Sequence, residues 1–121
     1  MDGALWAGEI LLATILLATG LFKLTQPRQR LLATGHMDWV EDVSDGQVRG
    51  IASLELLAAA GLVLPELLDV ATWLTPLAAM GVVALMIGAG HVHARRGETE
   101  KLPLNAVIGL IAALVAVGQL A

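Results

Sequence analysis

An all-α bundle of four transmembrane helices is predicted by two features of this chain. Four apolar runs, each of about twenty residues, are separated by three short connections, and every Lys and Arg falls in or beside two of those connections. Lys23, Arg28, Arg30 and Arg49 border the connection 25–47, and Arg95, Arg96 and Lys101 border 94–102. Connections next to transmembrane helices are enriched in Lys and Arg on the cytoplasmic side. These two connections are therefore expected in the cytoplasm, with both termini and the middle connection outside. A dual-topology protein would distribute its cations over both sides; here one side holds all seven. The expected location is the cell membrane, as a multi-pass protein.

The elements follow from punctuation. The first span runs from about 3 to 24; it contains Glu9, has no basic segment before it and no cleavage-like ending, so it reads as a retained helix rather than a leader. Pro27 then opens a short amphipathic segment carrying Leu31 and Leu32, expected at the membrane surface and ended by Gly35. The second span covers about 48–64 and is expected to stop at Pro65, with Trp73 at interfacial depth in the outer connection. Thr75 and Pro76 read as cap and first turn of the third span, 76–93, and Pro103 starts the fourth, 103–121. The whole chain, 1–121, forms one membrane domain. At 57% hydrophobic residues and a mean hydropathy of +0.78, there is no room for a separate soluble one.

Composition excludes several kinds of chemistry. Without cysteine, no mechanism can use the chain's own thiol, disulfide or thiolate metal site, and no basic stripe with interleaved aromatics suggests nucleic acid. Haem ligation would need a second imidazole facing the third span, for which only His36 in the first loop is at hand, and no metal site is expected.

Helical periodicity shows which faces look inward, because small and polar side chains line helix contacts in lipid while large aliphatics face the acyl chains. In the fourth span Asn105, Gly109, Ala112, Ala116 and Gln119 share a face opposite Val107, Leu110, Leu114 and Val117. Glu55 lies with Ala52, Ala58 and Ala59, and Glu9 shares a stripe with Leu12, Leu16, Thr19 and Lys23. On the third span the small-residue face favours His93 over His91 as the inward histidine.

Face and depth together gather Lys23, Glu55, His93 and Asn105 in the cytoplasmic half of the interior, with Arg49 at the rim, as candidate ligand-binding residues. A carboxylate at bilayer depth costs at least ~2.5 kcal/mol, so Glu55 needs a cation, a hydrogen bond or a proton, and Lys23 is the preferred partner. The pair reads equally as a structural ion pair and as part of a ligand or proton site. Glu9 and Gln119 form a second candidate contact near the outer face. Arg95, Arg96 and Lys101 are read as topology determinants contacting anionic lipid or a protein partner. Asp38, Glu41, Asp42 and Asp45 read as a solvated loop face, and Trp39 as an interfacial anchor.

The segments GLFKL, HMDWVEDV, VRGIASLELLAAAGLVLP, WLTPLAAMGVVALMIGAGHVHARRGE and LPLNAVIGLIAALVAVGQ together resemble the DoxX-like membrane proteins over nearly the whole chain. The resemblance implies a four-helix integral membrane fold, with recurrent polar positions at Lys23, Trp39, Arg49, Glu55, His93, Arg96 and Asn105. It also implies a redox context, since the family is named after a subunit associated with a quinone-linked thiosulfate oxidoreductase.

Three functions remain open on these observations. One is an accessory or assembly subunit in a redox-linked membrane system, whose basic loops recruit a membrane or peripheral protein partner. Another is an oxidoreductase or lipid-modifying unit that binds a quinone or other isoprenoid at Lys23, Glu55, His93 and Asn105. The last is a small proton-coupled exporter using Glu9. No catalytic residue is assigned, because no nucleophile or cofactor motif accompanies Glu55 or His93. Small-residue faces at 4–8 and 46–50 permit a homo-oligomer.

Overall fold

A computed structural model describes residues 3–120. Helix α1 spans Gly3–Thr25, the short α2 Arg28–Ala33, α3 Asp45–Leu68, α4 Leu74–Arg95 and α5 Leu102–Leu120. Single 3-10 turns at Asp38–Asp42 and Thr99–Lys101 complete the connections, and no strand occurs among the described residues. Among the described residues, four helices are long and apolar enough to cross a membrane. Residue 121, included in the fourth predicted span, lies outside the described residues.

The four long helices form a closed ring in the order α1, α3, α4, α5, with α1 packed on both α3 and α5 and α4 packed on the same two. Leu12, Leu16, Leu62, Ala79, Val82 and Ala112 make up the centre. The lipid-facing aliphatics are where periodicity put them: Leu57 is 69% exposed and Val117 66%, whereas Ala52 and Ala112 on the opposite faces are fully buried. Because lipid is as apolar as these side chains, the helices are held by close packing rather than by exclusion of water. A Cβ at Gly20 would lie 3.1 Å from the Ala52 carbonyl oxygen, so glycine there sets how closely α1 and α3 approach.

Three boundaries differ from the sequence reading. Helix α3 starts at Asp45 because Ser44 forms a capping box with Gln47, each side chain bonding the other's backbone N–H. Pro65 does not stop α3, which runs on to Leu68 and ends at Asp69 in the left-handed conformation (φ 53°). The reason is tertiary. Proline cannot donate to the carbonyl four residues back, that of Gly61, and the Thr75 hydroxyl donates to that oxygen instead at 3.1 Å. Thr75 is therefore not the cap of α4, which begins one residue earlier at Leu74; its hydroxyl bridges α4 to α3.

The first connection folds on itself. Leu31 is 2% exposed and packs with Val40 and Val48 in a small second core, so this residue is buried in protein rather than lying on the membrane surface. Arg28 ties this unit together by donating to the Val40 and Val43 carbonyls at 2.6 Å and to Asp45 at 2.9 Å.

Candidate functional site

Lys23 near the end of α1, Glu55 in the middle of α3, His93 near the end of α4 and Asn105 in the first turn of α5 all border one space at the cation-bearing end of the bundle. Lys23 Nζ lies 2.5 Å from Glu55 Oε1, and the Thr19 hydroxyl donates to Glu55 Oε2. Both carboxylate oxygens are thus engaged, the lysine and glutamate side chains being only 13% and 7% exposed. Trp39 lies beside Lys23, with the ammonium 5.5 Å from its ring centroid. Trp39 therefore covers the ion pair from the first connection; it is half-buried against the small second core, and not a free interfacial anchor.

The space is a groove of about 1110 Å³ that runs up the seam between α3 and α4. Its walls include Leu54, Leu57, Leu77, Gly81, Ala84 and Gly88. The seam is tight at the end where Thr75 bridges it, and a Cβ on Gly61 there would come 2.8 Å from that of Ala78. Farther along it opens, since a Cβ on Gly81 or Gly88 would meet no atom within 4 Å. Leu54, Leu57 and Leu77 are each more than half exposed, so the groove opens sideways onto lipid. It has one apolar flank and one polar end, the arrangement that suits an amphiphile.

At that polar end His93 Nδ1 is 2.8 Å from Glu98 Oε1 in the connection after α4, with both side chains largely buried. The neighbouring Arg96 donates to Asp42 and Glu41 of the first connection and lies 3.4 Å from the second oxygen of Glu98. Lys101 donates to the His36 carbonyl. These contacts clasp the two cation-bearing connections to each other. Arg96 and Lys101 thus make contacts within the chain, and Glu41, Asp42 and Asp45 are paired rather than simply solvated. Arg95 is exposed. Arg49, expected at the rim, is exposed and borders neither the groove nor the ion pair, because the helical turn that aims Glu55 inward aims Arg49 away.

The clasp has an electrostatic signature. The hydrogen bond from His93, aided by Lys101 and Arg96, holds the Glu98 carboxyl below the ordinary carboxylate range, and the hydrogen bond to Asp42 pushes Arg96 up. A carboxyl with a depressed folded value stabilises the fold fully above its unfolded value of about 4.3. That stabilisation is lost as pH falls through the folded value. Between pH 6 and 3 the connection 96–101 is therefore expected to lose protection in amide hydrogen exchange. Glu98→Gln should make the loss shallower, leaving the part due to Asp42 and Glu41; an unchanged profile would remove Glu98 from the clasp.

Glu9 and Gln119 meet at the opposite end, where Gln119 donates to Glu9 Oε1 between α1 and α5. Glu9 is fully buried and does not border the groove. His91 is exposed, and among the described residues no three His, Asp or Glu side chains cluster as metal ligands would. Thr19 and Glu98 are the two site residues that sequence reasoning did not select. Thr19 shares the Glu9–Lys23 stripe and could have been chosen on that ground, whereas nothing in the loop sequence marks Glu98 over Glu100.

Residues 8–115 match the sequence model of the DoxX-like family. No curated protein and no solved structure matches the chain.

Proposed function

The chain belongs to the DoxX-like family, and from that premise we propose that it is an accessory subunit of a redox-linked system in the cell membrane, contributing a binding site for an isoprenoid lipid such as a quinone. The observation that carries this reading is the lateral groove, apolar along α3 and α4 and polar only where Lys23, Glu55, His93 and Asn105 converge. A polyisoprenoid tail enters such a groove from the bilayer without crossing water, and its head group meets hydrogen-bonding side chains at the end of its path. In this reading the chain binds and positions the head while a partner on the cytoplasmic side carries the electrons. The exposed Arg30, Arg49 and Arg95 are the cations left for that partner or for anionic lipid. An exporter working through Glu9 is disfavoured, since that carboxylate is engaged by Gln119 away from the groove.

Gentle extraction followed by quinone and isoprenoid analysis of the co-purifying lipid tests the reading. We expect about one isoprenoid per chain, and its loss in Gly81→Leu and Gly88→Leu, which fill the groove at positions where a side chain meets nothing. Unchanged thermal stability of the two variants would separate blocking from misfolding. Absence of any isoprenoid from the parent protein would overturn the ligand part of the reading.

The same reading puts the cation-bearing end in the cytoplasm. With no native cysteine, single Thr72→Cys and Thr99→Cys variants report the two sides cleanly, both positions being exposed. An impermeant maleimide is expected to label Thr72→Cys in intact cells and Thr99→Cys only after permeabilisation. The reverse pattern would invert the orientation.

A further inference from the structure

We infer that the ligand of the groove carries a hydroxyl head group, which donates to Nε2 of His93 while its oxygen accepts from the amide of Asn105; this rests on the groove being a lipid site, as proposed above. Two observations carry the inference independently. Asn105 Nδ2 is buried at the polar end of the groove without a hydrogen-bond partner among the described residues. A buried donor left unmade is costly, and more so in a membrane interior, so its presence there points to an acceptor that arrives with a ligand. His93 supplies the complementary group. Its Nδ1 faces Glu98, and a carboxylate only accepts, so Nδ1 carries the hydrogen and Nε2 is the ring nitrogen left to accept. Nε2 makes no hydrogen bond among the described residues, although the ring borders the groove.

A head group that satisfies both must offer a hydrogen and an oxygen lone pair, which a hydroxyl does and a carbonyl or ether does not. Lys23 and Thr19 are less available to it, since both are turned on Glu55. The class selected is therefore a polyprenyl alcohol or the hydroquinone form of an isoprenoid quinone, in preference to the quinone. Glu98 is a positioning residue in this scheme. It touches no ligand but fixes which imidazole nitrogen accepts, and Arg96, 3.4 Å from its other oxygen, holds it in place. Of the other charged groups at this end, Glu41 and Asp42 are paired with Arg96, and neither the Lys23–Glu55 pair nor Lys101 bonds the ring.

The test uses three probes with the same decyl tail: a decyl hydroquinone, its dimethyl ether and the decyl benzoquinone. Occupancy of the protein in detergent is read by native mass spectrometry at pH 8 under anaerobic conditions. The hydroquinone is expected to bind about tenfold more tightly than the ether, the effect of one buried acceptor left unpaired. The benzoquinone should resemble the ether. In His93→Phe the preference should fall to near unity while ether binding persists. In Glu98→Gln, which leaves the imidazole in place but no longer dictates its tautomer, the preference should shrink by several-fold with tail affinity unchanged, an effect that a merely structural role would not produce. Equal binding of all three probes, blocked by Gly81→Leu, would overturn the hydroxyl assignment and keep the lipid groove. No binding of any probe would overturn both. Should His93→Phe not fold, Glu98→Gln and Asn105→Leu decide the matter, since a full hydroxyl preference in Glu98→Gln, or undiminished binding of the three probes to Asn105→Leu, would equally defeat the inference.

Discussion

Lys23→Met is expected to lower stability by about 3–5 kcal/mol, the cost of leaving one member of a buried ion pair uncompensated. The carboxylate of Glu55 would keep only the Thr19 hydroxyl, with its side chain 7% exposed. Glu55→Leu should cost less. Lys23 sits two residues from the end of α1, and its long stem can carry an unpaired ammonium to the interface, whereas Glu55 lies ten residues into α3, about 15 Å along its axis, on a short stem. The double variant Lys23→Met with Glu55→Leu removes both charges and is expected to recover most of the loss, because replacing a buried pair by apolar side chains is often neutral. Unfolding by denaturing detergent in mixed micelles, followed by far-UV circular dichroism, measures all three. A double variant as unstable as Lys23→Met would mean that the pair contributes through something other than charge compensation. The same protein also separates two roles for the pair. If it folds like the parent and still retains the isoprenoid, the pair serves the bundle; if it folds but loses the ligand, the pair serves the head group.

Thr75→Val should cost about 1–3 kcal/mol, the penalty for a buried carbonyl without a partner. Gly61 cannot regain its helical hydrogen bond, because the residue four positions on is Pro65, and Thr75 is fully buried where no water can substitute. Adding Pro65→Ala to Thr75→Val restores a backbone N–H to α3 and is expected to return most of the stability. Pro65→Ala alone should be close to neutral, since the carbonyl is then served twice. The same micelle titration reads this cycle. A destabilisation that Pro65→Ala does not repair would place the role of Thr75 in packing, and no destabilisation at all would remove the bridge from the account of why α3 continues past its proline.

The two cases differ in how much could be read from the residues in order. Ala52, Glu55, Ala58 and Ala59 recur at helical spacing, so the inward direction of Glu55 was available from periodicity alone, and so was the outward direction of Leu57 and Leu64. The same counting aims Arg49 away from that face, but its nearness in sequence suggested the rim. Pro65 is a stop signal in any local rule, and the rule fails because its remedy comes from Thr75, ten residues on and in another helix. Arg96 and Lys101 illustrate a further limit. Their sign and position mark a side of the membrane, but whether they face outward depends on Asp42, Glu41 and the His36 carbonyl, which only the folded first connection brings within reach.

What the order of residues determined by itself is therefore the part governed by local periodicity and by transfer from water to lipid: the number of spans, the lipid-facing surfaces, the segregation of cations to one end and the small and polar lining of the interior. Each depends on residues within a few turns of one another and on a solvent common to all of them. The tertiary structure alone decided the continuation of α3 past Pro65, the burial of Leu31, the clasp through Glu98 and Arg96, and the groove between α3 and α4. These depend on the separation and rotation of whole helices. The seam closes where Gly61 meets Ala78 and opens beside Gly81 and Gly88, although all three glycines look alike in sequence. The physical reason is that a gap between helices is set by the packing of all four around the ring, and no single span carries that information.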